Sequence, residues 1–392
     1  MKILIIITLL LFSFSSFSFY PHSYKESREH FIKQAKKLKD QHPRLKLNSL
    51  KIPTFTNENL TTETLYISQS HGKKERLLII TSGTHGAEAF TGSAIQSLFM
   101  NEILSDQLLE DMGILIVHAV NPYGFHFKRR VSENNVDLNR NFSANEQHFT
   151  SKNSSYEKLE KFLNPVEPLN SSFSSDIKLF IRTLFLLVEH GKQKLTQSIV
   201  GGQYQFNKSL YFGGAQSEPN VNILKKEFSK YGKGYQSIFH IDLHTGYGER
   251  GKLHYFINKN TVAQSPALQK LFEGYTIDTE SNTDFYETSG DFSNFTLQTF
   301  PQKKVIPIVF EFGTMDSQDI IGSFLSLKNM IYENQGFHYG YTSSESKLRT
   351  QEQFMDMFNP SSQEWREKVL KTSRKELSQI LKRYSEMSLS ND

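Results

Sequence analysis

The sequence carries four apolar segments of strand length, separated by polar or amphipathic stretches. The segments span residues 77–81, 114–120, 237–243 and 305–312. Beyond the first segment, apolar side chains recur at the spacing of one helix face, at Ile95, Leu98, Phe99 and Ile103. Strands that alternate with helical patterns are typical of βαβ units. We therefore predict an α/β fold, with a mixed, mostly parallel, twisted sheet flanked by helices.

Weaker patterns fill the rest of the chain. Residues 23–38 predict an exposed helix, and residues 41–70 predict edge strands. Residues 143–175 are rich in Ser, Asn, Lys and Glu and predict a polar loop with short helices. Residues 176–195 predict a helix whose apolar side chains are spaced for burial, at Leu179, Phe180, Leu184 and Leu187.

The pattern near the end of the chain completes the predicted domain organisation. Residues 362–387 predict an amphipathic helix with a solvated basic face. We expect one domain over residues 19–345, with an insertion at about 143–235, and then a helical tail over residues 346–392.

The first 18 residues have the pattern of a secretory signal peptide. Lys2 precedes an apolar run over residues 3–12, and Ser16 and Ser18 supply the small residues before a cleavage point. The run is shorter than a normal membrane span, although an uncleaved anchor is the alternative. The sequence thus predicts export to the periplasm or the extracellular space, with no stable membrane span after cleavage.

Composition narrows the chemistry. The chain has no cysteine, so any metal must be held by His, Asp or Glu, and disulfides are excluded. The formal net charge is +4 and falls by one if Lys2 leaves with the signal peptide. A charge this small and dispersed does not indicate a nucleic-acid-binding protein.

Polar residues follow or end the predicted strands, and the carboxyl ends of parallel strands share one edge of a sheet, where ligands bind. The residues expected to converge there are His85, Glu88, Arg130, Asn139, Arg140, His244 and Glu311. Two histidines and a glutamate are the protein ligands of a catalytic zinc, and a further carboxylate off the metal could act as a general base. Each motif alone is also compatible with a structural histidine or a loop anchor.

In combination the motifs resemble those of the zinc carboxypeptidases of the funnelin superfamily. Over residues 23–341 the chain is similar to a bacterial branch of uncharacterised carboxypeptidase-like domains. The resemblance rests on the sequences His85-Gly-Ala-Glu88 and Asp-Leu-His244-Thr-Gly, and on Glu311 in Val-Phe-Glu-Phe. It implies a zinc carboxypeptidase-like fold and one Zn²⁺ per chain, held by His85, Glu88 and His244, with Glu311 as the catalytic glutamate.

The resemblance also implies roles around the metal. Asp137 matches the acidic residue that orients the first ligand histidine, and Asn139 and Arg140 match the pair that grips a substrate's terminal carboxylate. Tyr286 is similar to the mobile tyrosine that closes over bound substrate. The arginine that polarises the scissile carbonyl is either Arg129 or Arg130, and we prefer Arg130.

The sequence thus predicts a secreted zinc hydrolase that cleaves an amide bond adjacent to a free carboxylate. A metallocarboxypeptidase acting on peptides is the simplest form of this prediction. One alternative is a deacylase of N-acyl amino acids on the same scaffold, similar to aspartoacylase or succinylglutamate desuccinylase. Another is a non-catalytic zinc-binding module, against which a base such as Glu311 argues.

Overall fold

The structure is a computed structural model of the 392-residue chain and describes residues 19–143, 145–257, 266–278 and 290–389. The signal peptide predicted over residues 1–18 lies outside the described residues. A mixed sheet of eight strands is flanked by helices on both faces, in the strand order β1-β2-β4-β3-β5-β8-β6-β7. The predicted fold class is confirmed.

The strands are numbered in chain order. They are β1 Lys46–Lys51, β2 Thr61–Ile67, β3 Arg76–Ser82, β4 Gly113–His118, β5 Ser237–Gly246, β6 Leu253–Phe256, β7 Ile277–Asp278 and β8 Lys304–Gly313.

The α-helices are also numbered in chain order. They are α1 Tyr24–Gln41, α2 Ala89–Leu98, α3 Asp106–Asp111, α4 Pro122–Phe127, α5 Ser154–Leu163, α6 Phe173–His190, α7 Lys192–Val200, α8 Pro219–Gly232, α9 Pro266–Leu271, α10 Phe292–Thr299, α11 Ile320–Tyr339, α12 Ser344–Phe358 and α13 Gln363–Glu386.

The four apolar segments of the sequence form the centre of the sheet. β4, β3, β5 and β8 are neighbours in that order, and each pair among them is parallel. β1 lies at one edge, where strands were predicted within residues 41–70, and joins the sheet through antiparallel pairing with β2; β6 adds an antiparallel strand on the other side. The carboxyl ends of the central strands therefore lie at one edge, where the candidate residues follow them.

Both faces of the central strands are buried, which explains why their sequences are continuously apolar. Leu78 and Ile80 of β3 belong to one core, beneath α1, α2 and α13. Leu77 and Ile79 belong to the opposite core, beneath α8 and α10. Alternate residues of one strand thus supply two separate helix–sheet interfaces.

The insertion forms its own apolar layer together with the helices that follow the sheet. Side chains of α5, α7, α11 and α12 make a third core cluster. Phe180 of α6 packs edge-to-face on Phe324 of α11, with ring centroids 4.9 Å apart. The prediction that Leu184 is buried is wrong, because α6 lies on the outside of this layer and leaves Leu184 39% exposed.

The C-terminal helix packs on the central sheet. Val369, Leu377 and Ile380 of α13 are fully buried in the same core as β3 and β5. The tail boundary predicted at residue 345 falls within the first turn of α12. No helix among the described residues is long and apolar enough to cross a membrane.

Candidate metal centre

The turn after β3 delivers two of the predicted metal ligands. The strand ends at Ser82, and a single 3₁₀ turn over Gly86–Glu88 leads into α2. A Cβ atom at Gly86 would lie 2.0 Å from the carbonyl carbon of Gly124, so helix α4 packs directly against this turn. Only glycine permits this approach, which holds His85 and Glu88 at the sheet edge.

The ends of β5 and β8 supply the other two key residues. Their parallel register pairs His244 with Glu311 side by side. Both residues lie beside the turn that carries His85 and Glu88, because β5 is the neighbour of β3. Four residues separated by more than 220 positions in the chain are thus brought together by strand order alone.

His85, Glu88 and His244 form a buried cluster, called the metal group below. Their potential ligand atoms all lie within 4.8 Å of one another. Nδ1 of His85 is 2.7 Å from Oε1 of Glu88, and Nδ1 of His244 is 2.9 Å from Oε2 of Glu88. The backbone N–H of Thr245 also donates to Oε2 of Glu88. The two imidazoles therefore direct the same type of nitrogen at one carboxylate.

A carboxylate orients each imidazole from its far side. Nε2 of His85 donates to Oδ1 of Asp137 at 3.0 Å, and Nε2 of His244 donates to Oδ2 of Asp242 at 2.6 Å. Each Nδ1 then faces Glu88 with its lone pair, unless it binds a proton or a cation. Partners of this kind fix the ring and raise the basicity of a metal-binding histidine.

The electrostatics of the cluster favour a cation. Burial opposes ionisation of Glu88, but His85 and His244 outweigh it and lower the pKa of the carboxyl below its usual range. Burial also opposes protonation of His244, but Asp242 and Glu88 outweigh it and hold its pKa well above the ordinary value. The donor set of two imidazoles and one carboxylate fits zinc.

The second carboxylate in this network, Asp137, is also held ionised. Although burial opposes its charge, Arg130 and then His85 lower its pKa well below the ordinary value. Its Oδ2 accepts from Nη2 of Arg130 at 2.9 Å. Asp137 thus links the metal group to an arginine.

The two candidate arginines occupy different environments. Arg130 lines the cavity at the metal group, and its Nη1 lies 3.5 Å from Oε1 of Glu88. Arg129 is buried away from it, paired with Glu333 at 2.6 Å and placed 3.4 Å from the centroid of the Phe337 ring. Arg130 is therefore the arginine that can reach a substrate in the cavity.

Asn139 and Arg140, which were predicted to bind the substrate carboxylate, occupy different environments. Asn139 lines the cavity, and its Oδ1 accepts from the backbone N–H of Phe292 at the start of α10. Arg140 is buried and does not line the cavity. Its guanidinium donates to the carbonyl of Val200, at 2.6 Å from Nη2, and to that of Asn139.

Glu311 lines the same cavity and is not one of the three grouped ligand residues. The backbone N–H of Tyr247 donates to its Oε1 at 2.9 Å. Burial, and then the negative charge of Glu88, raise the pKa of Glu311 to about 8. A carboxyl with a raised pKa can exchange a proton near neutral pH, as a general base and acid must.

These residues open into a cavity of about 260 Å³. Its polar end is formed by His85, Glu88, Arg130, His244 and Glu311. The remainder is bounded mainly by apolar side chains of α6, α7, α11 and the end of α12. The insertion thus builds a large part of the cavity wall.

Tyr286 lies outside the described residues, so its predicted position over the substrate stays a prediction. Asp242 escaped sequence reasoning. It precedes His244 by two positions, and strand periodicity could have shown that both point to one face. Tyr211 begins a glycine-rich segment whose sequence predicts a turn beside the site, although turn chemistry alone explains it equally well; Tyr211 lines the cavity and lies near Arg130.

A family profile described as "Protein of unknown function (DUF2817)" matches residues 20–372. No curated protein sequence matches significantly. Solved structures with similar folds include a metallocarboxypeptidase from Pseudomonas aeruginosa, with 13% identity and a TM-score of 0.41, covering 86% of this chain and 69% of that one. Carboxypeptidase A from Helicoverpa armigera matches with 14% identity and a TM-score of 0.40, covering 86% and 73% respectively.

A murein-tripeptide amidase from Escherichia coli O157 matches with 18% identity and a TM-score of 0.36, covering 75% of this chain and 92% of that one. Identities and scores this low do not transfer an activity, so the assignment of a function rests on the site itself.

Proposed function

This chain belongs to the family described as "Protein of unknown function (DUF2817)", and we propose that it is a zinc-dependent hydrolase of amide bonds adjacent to a free carboxylate. Such a bond occurs at the C-terminus of peptides, which a metallocarboxypeptidase would cleave. It also occurs in N-acyl amino acids, which a deacylase would cleave. The observation that carries the proposal is the pairing of His244 with Glu311 at one sheet edge, which sets a raised-pKa carboxyl beside a buried His-Glu-His group.

His85, Glu88 and His244 would hold one zinc ion per chain. When bound, zinc would polarise a carbonyl oxygen and lower the pKa of water from about 15.7 to about 7. Asp137 and Asp242 keep the two imidazoles oriented for this task, since each accepts the N–H on the far side of the ring.

Glu311 and Arg130 perform the remaining chemistry. Glu311 removes a proton from the attacking water as its oxygen bonds to the amide carbon. It then delivers that proton to the amide nitrogen as the carbon–nitrogen bond breaks. Arg130, which faces the cavity, donates hydrogen bonds to the negative oxygen that develops on that carbon, a contribution of about 3–4 kcal/mol for a well-placed donor.

The substrate carboxylate is proposed to contact Asn139, which faces the cavity. Arg140 can join it only by giving up the carbonyl of Val200, to which both Nε and Nη2 now donate. Tyr286 is proposed to close over this end of the substrate. The zinc-binding module without catalysis is the weaker candidate, because a binding site gains nothing from a half-buried carboxyl such as Glu311.

Export through residues 1–18 belongs to the same proposal and would place the substrate in the periplasm or outside the cell. Expression of the full-length protein in a host that secretes it, followed by N-terminal sequencing, tests this point. A mature chain that starts at Phe19 is expected.

Glu311→Gln tests the mechanism. We expect activity on peptides and N-acyl amino acids to fall by a factor of about 10²–10⁴, because the variant cannot take the proton from water. Zinc content should stay near one per chain, since Glu311 is not a proposed ligand. Glu249→Gln is the matched control, because Glu249 is largely exposed and pairs with Lys252 at the surface, and it should keep full activity.

Metal analysis tests the ligands. His85→Ala and His244→Ala should each lose stoichiometric zinc, whereas His126→Ala, which alters a histidine away from the site, should retain it. Full activity in Glu311→Gln, or full zinc content in both ligand variants, would contradict the proposal. Release of free C-terminal residues distinguishes a carboxypeptidase from a deacylase, which releases a carboxylic acid.

A further inference from the structure

One wall of the cavity is apolar. It combines Leu187 of α6, Leu195 and Ile199 of α7, and Phe324, Leu327 and Met330 of α11. These side chains come from the insertion and from the helix after β8. The polar groups come from the sheet edge. A ligand that fills the cavity must therefore have a polar amide end and a sizeable apolar end.

Some polar atoms of this wall are engaged by the protein itself, whereas Oγ of Ser326 on α11 is buried without a hydrogen-bond partner among the described residues. The hydroxyl of Thr183 donates to the carbonyl of Leu179 at 2.9 Å, and that of Ser323 donates to the carbonyl of Ser317 at 2.6 Å. Both residues therefore contribute little hydrogen bonding to a ligand. The wall offers a charged or polar substrate group few of the partners that its burial would require.

Charges are scarce on the same wall. Among the described residues that line this wall, the charged side chain is that of Lys192. Its ammonium donates to the carbonyl of Gln318 at 2.8 Å. No carboxylate from α6, α7, α11 or α12 lines the cavity within the described residues. A basic peptide side chain buried here would lack a charged partner, whereas an alkyl chain would need none.

We propose that the substrate is an N-acyl amino acid with a long aliphatic acyl chain, which lies against α6, α7 and α11. This inference rests on the proposed amide hydrolase and names its substrate class. Water adds to the acyl carbon, the carbon–nitrogen bond breaks, and a fatty acid and a free amino acid leave. The proton taken from water by Glu311 ends on the amine nitrogen, so the reaction needs no further reactant.

The acyl-chain length series tests the inference. The zinc-loaded full chain is assayed with N-acetyl-, N-butanoyl-, N-octanoyl- and N-dodecanoylglycine below their aggregation concentrations, and released glycine is quantified. Each methylene that enters an apolar site contributes about 0.8 kcal/mol, or about fourfold. We expect kcat/KM to rise by at least about tenfold between butanoyl and octanoyl, even with incomplete burial.

Neighbouring residues of α6 provide a matched pair of variants. Leu187 lines the cavity, whereas Val188 is 87% exposed on the outer face of the helix. Leu187→Gln should flatten the dependence on chain length, because it places an amide against the alkyl chain. Val188→Gln introduces the same side chain one position away and should preserve that dependence.

Product inhibition gives a second measurement that does not depend on the folding of a variant. Dodecanoate should inhibit the wild-type enzyme at a concentration at least about a hundredfold below that needed for butanoate, by the same methylene contribution. Equal inhibition by the two acids would overturn the inference.

The outcomes separate this inference from the proposed function. Zinc- and Glu311-dependent release of C-terminal residues from peptides, with kcat/KM for the N-acylglycines independent of chain length, would overturn the acyl-chain inference and leave the hydrolase intact. If neither peptides nor any N-acylglycine is hydrolysed in a manner that depends on zinc and Glu311, the hydrolase itself is wrong.

Discussion

Asp242 illustrates how strand periodicity can place a carboxylate behind a metal-binding histidine. It lies two residues before His244 on β5, so both side chains point to the same face. Its Oδ2 accepts from Nε2 of His244, and Thr81 and Thr84 donate to the carboxylate as well. The threonines hold Asp242 in place, and Asp242 in turn holds the imidazole that the proposed site uses.

We expect Asp242→Asn to weaken zinc binding by a factor of about 10–100, the usual effect of removing such a partner. The amide keeps the size of the carboxylate but removes the negative charge that makes His244 a stronger donor to the metal. Competition with a zinc chelator measures the change. Asp278→Asn is the matched control, since Asp278 pairs with His254 rather than with the metal group. Equal zinc affinity in the two variants would contradict the assignment.

His118 has no proposed catalytic role, yet it should control stability in acid. It is buried against α1 and α2, where Nδ1 contacts Gln96 and Nε2 contacts Ser27. Burial, and then the positive charges of Arg28 and His30, lower the pKa of His118 to about 3. The unfolded chain would bind a proton at about pH 6.5, whereas the folded chain would not.

Because folding lowers the pKa of His118, this residue does not reduce the stability of the folded protein above pH 6.5. The free energy of unfolding declines as the pH falls from 6.5 toward 3. The histidine should lower the free energy of unfolding by about 1.4 kcal/mol per pH unit below pH 6. Urea titrations of metal-free protein between pH 6 and 4 measure the slope. His118→Gln should reduce that slope by about 1.4 kcal/mol per pH unit, the contribution of one proton. Identical slopes for the variant and the wild type would show that His118 titrates normally.

Residue types and order were enough to nominate the metal group, but they could not determine which neighbouring side chain faces the cavity. Arg129 and Arg130 are adjacent, and only the packing of Arg129 against Glu333 and Phe337 distinguishes them. Arg140 matches its motif, yet a carbonyl from the distant insertion, that of Val200, accepts from its guanidinium. Contacts of this range leave no trace in local sequence.

At the level of elements, the central sheet was predictable because burial on both faces makes its strands continuously apolar. The bounds of β3, β4, β5 and β8 all lie within three residues of the segments identified in the sequence. The helix α6 shows the limit of the same reasoning. Its periodicity predicts a helix correctly, but it does not reveal which part of a wide apolar surface will be covered by neighbours.

The insertion is the element that gives this protein a cavity of its own. Its helices α6 and α7 line the cavity at the sheet edge, and the backbone N–H of Asp137 donates to the carbonyl of Phe212 within it. Polar composition correctly indicated loops and short helices there. It could not indicate that Leu187, Leu195 and Ile199 would face the candidate active site, since that depends on docking against α11.

At the level of the whole molecule, α13 joins the last part of the chain to the first strands of the sheet. Leu377 is fully buried in the core that β3 and β5 share. Tyr384 donates to Ser237 at the start of β5, and Arg76 of β3 donates to the carbonyl of Met387. The apolar face of this segment predicted the helix, but we expected it to be part of a tail that follows a complete domain.

Leu377→Ala distinguishes an integral helix from an appended one. Truncation of a buried leucine usually lowers the free energy of unfolding by about 2–5 kcal/mol, because it removes apolar contacts and leaves a cavity. If α13 is part of the central core, urea unfolding should remain a single transition that shifts to lower denaturant. Lys382→Ala, on the exposed face of the same helix, should change the stability by less than about 0.5 kcal/mol.

A separately folding α13 would give a different urea unfolding curve. If α13 folds as a separate tail, Leu377→Ala should leave the main transition in place and split off a smaller one at low urea. Tryptophan fluorescence resolves the two cases, because Trp365 is the chain's one tryptophan and lies in α13, where its indole N–H donates to the carbonyl of Gly313 at the end of β8. That carbonyl lies two residues beyond Glu311, so an integral α13 also couples the stability of the C-terminal helix to the strand end that carries the proposed base.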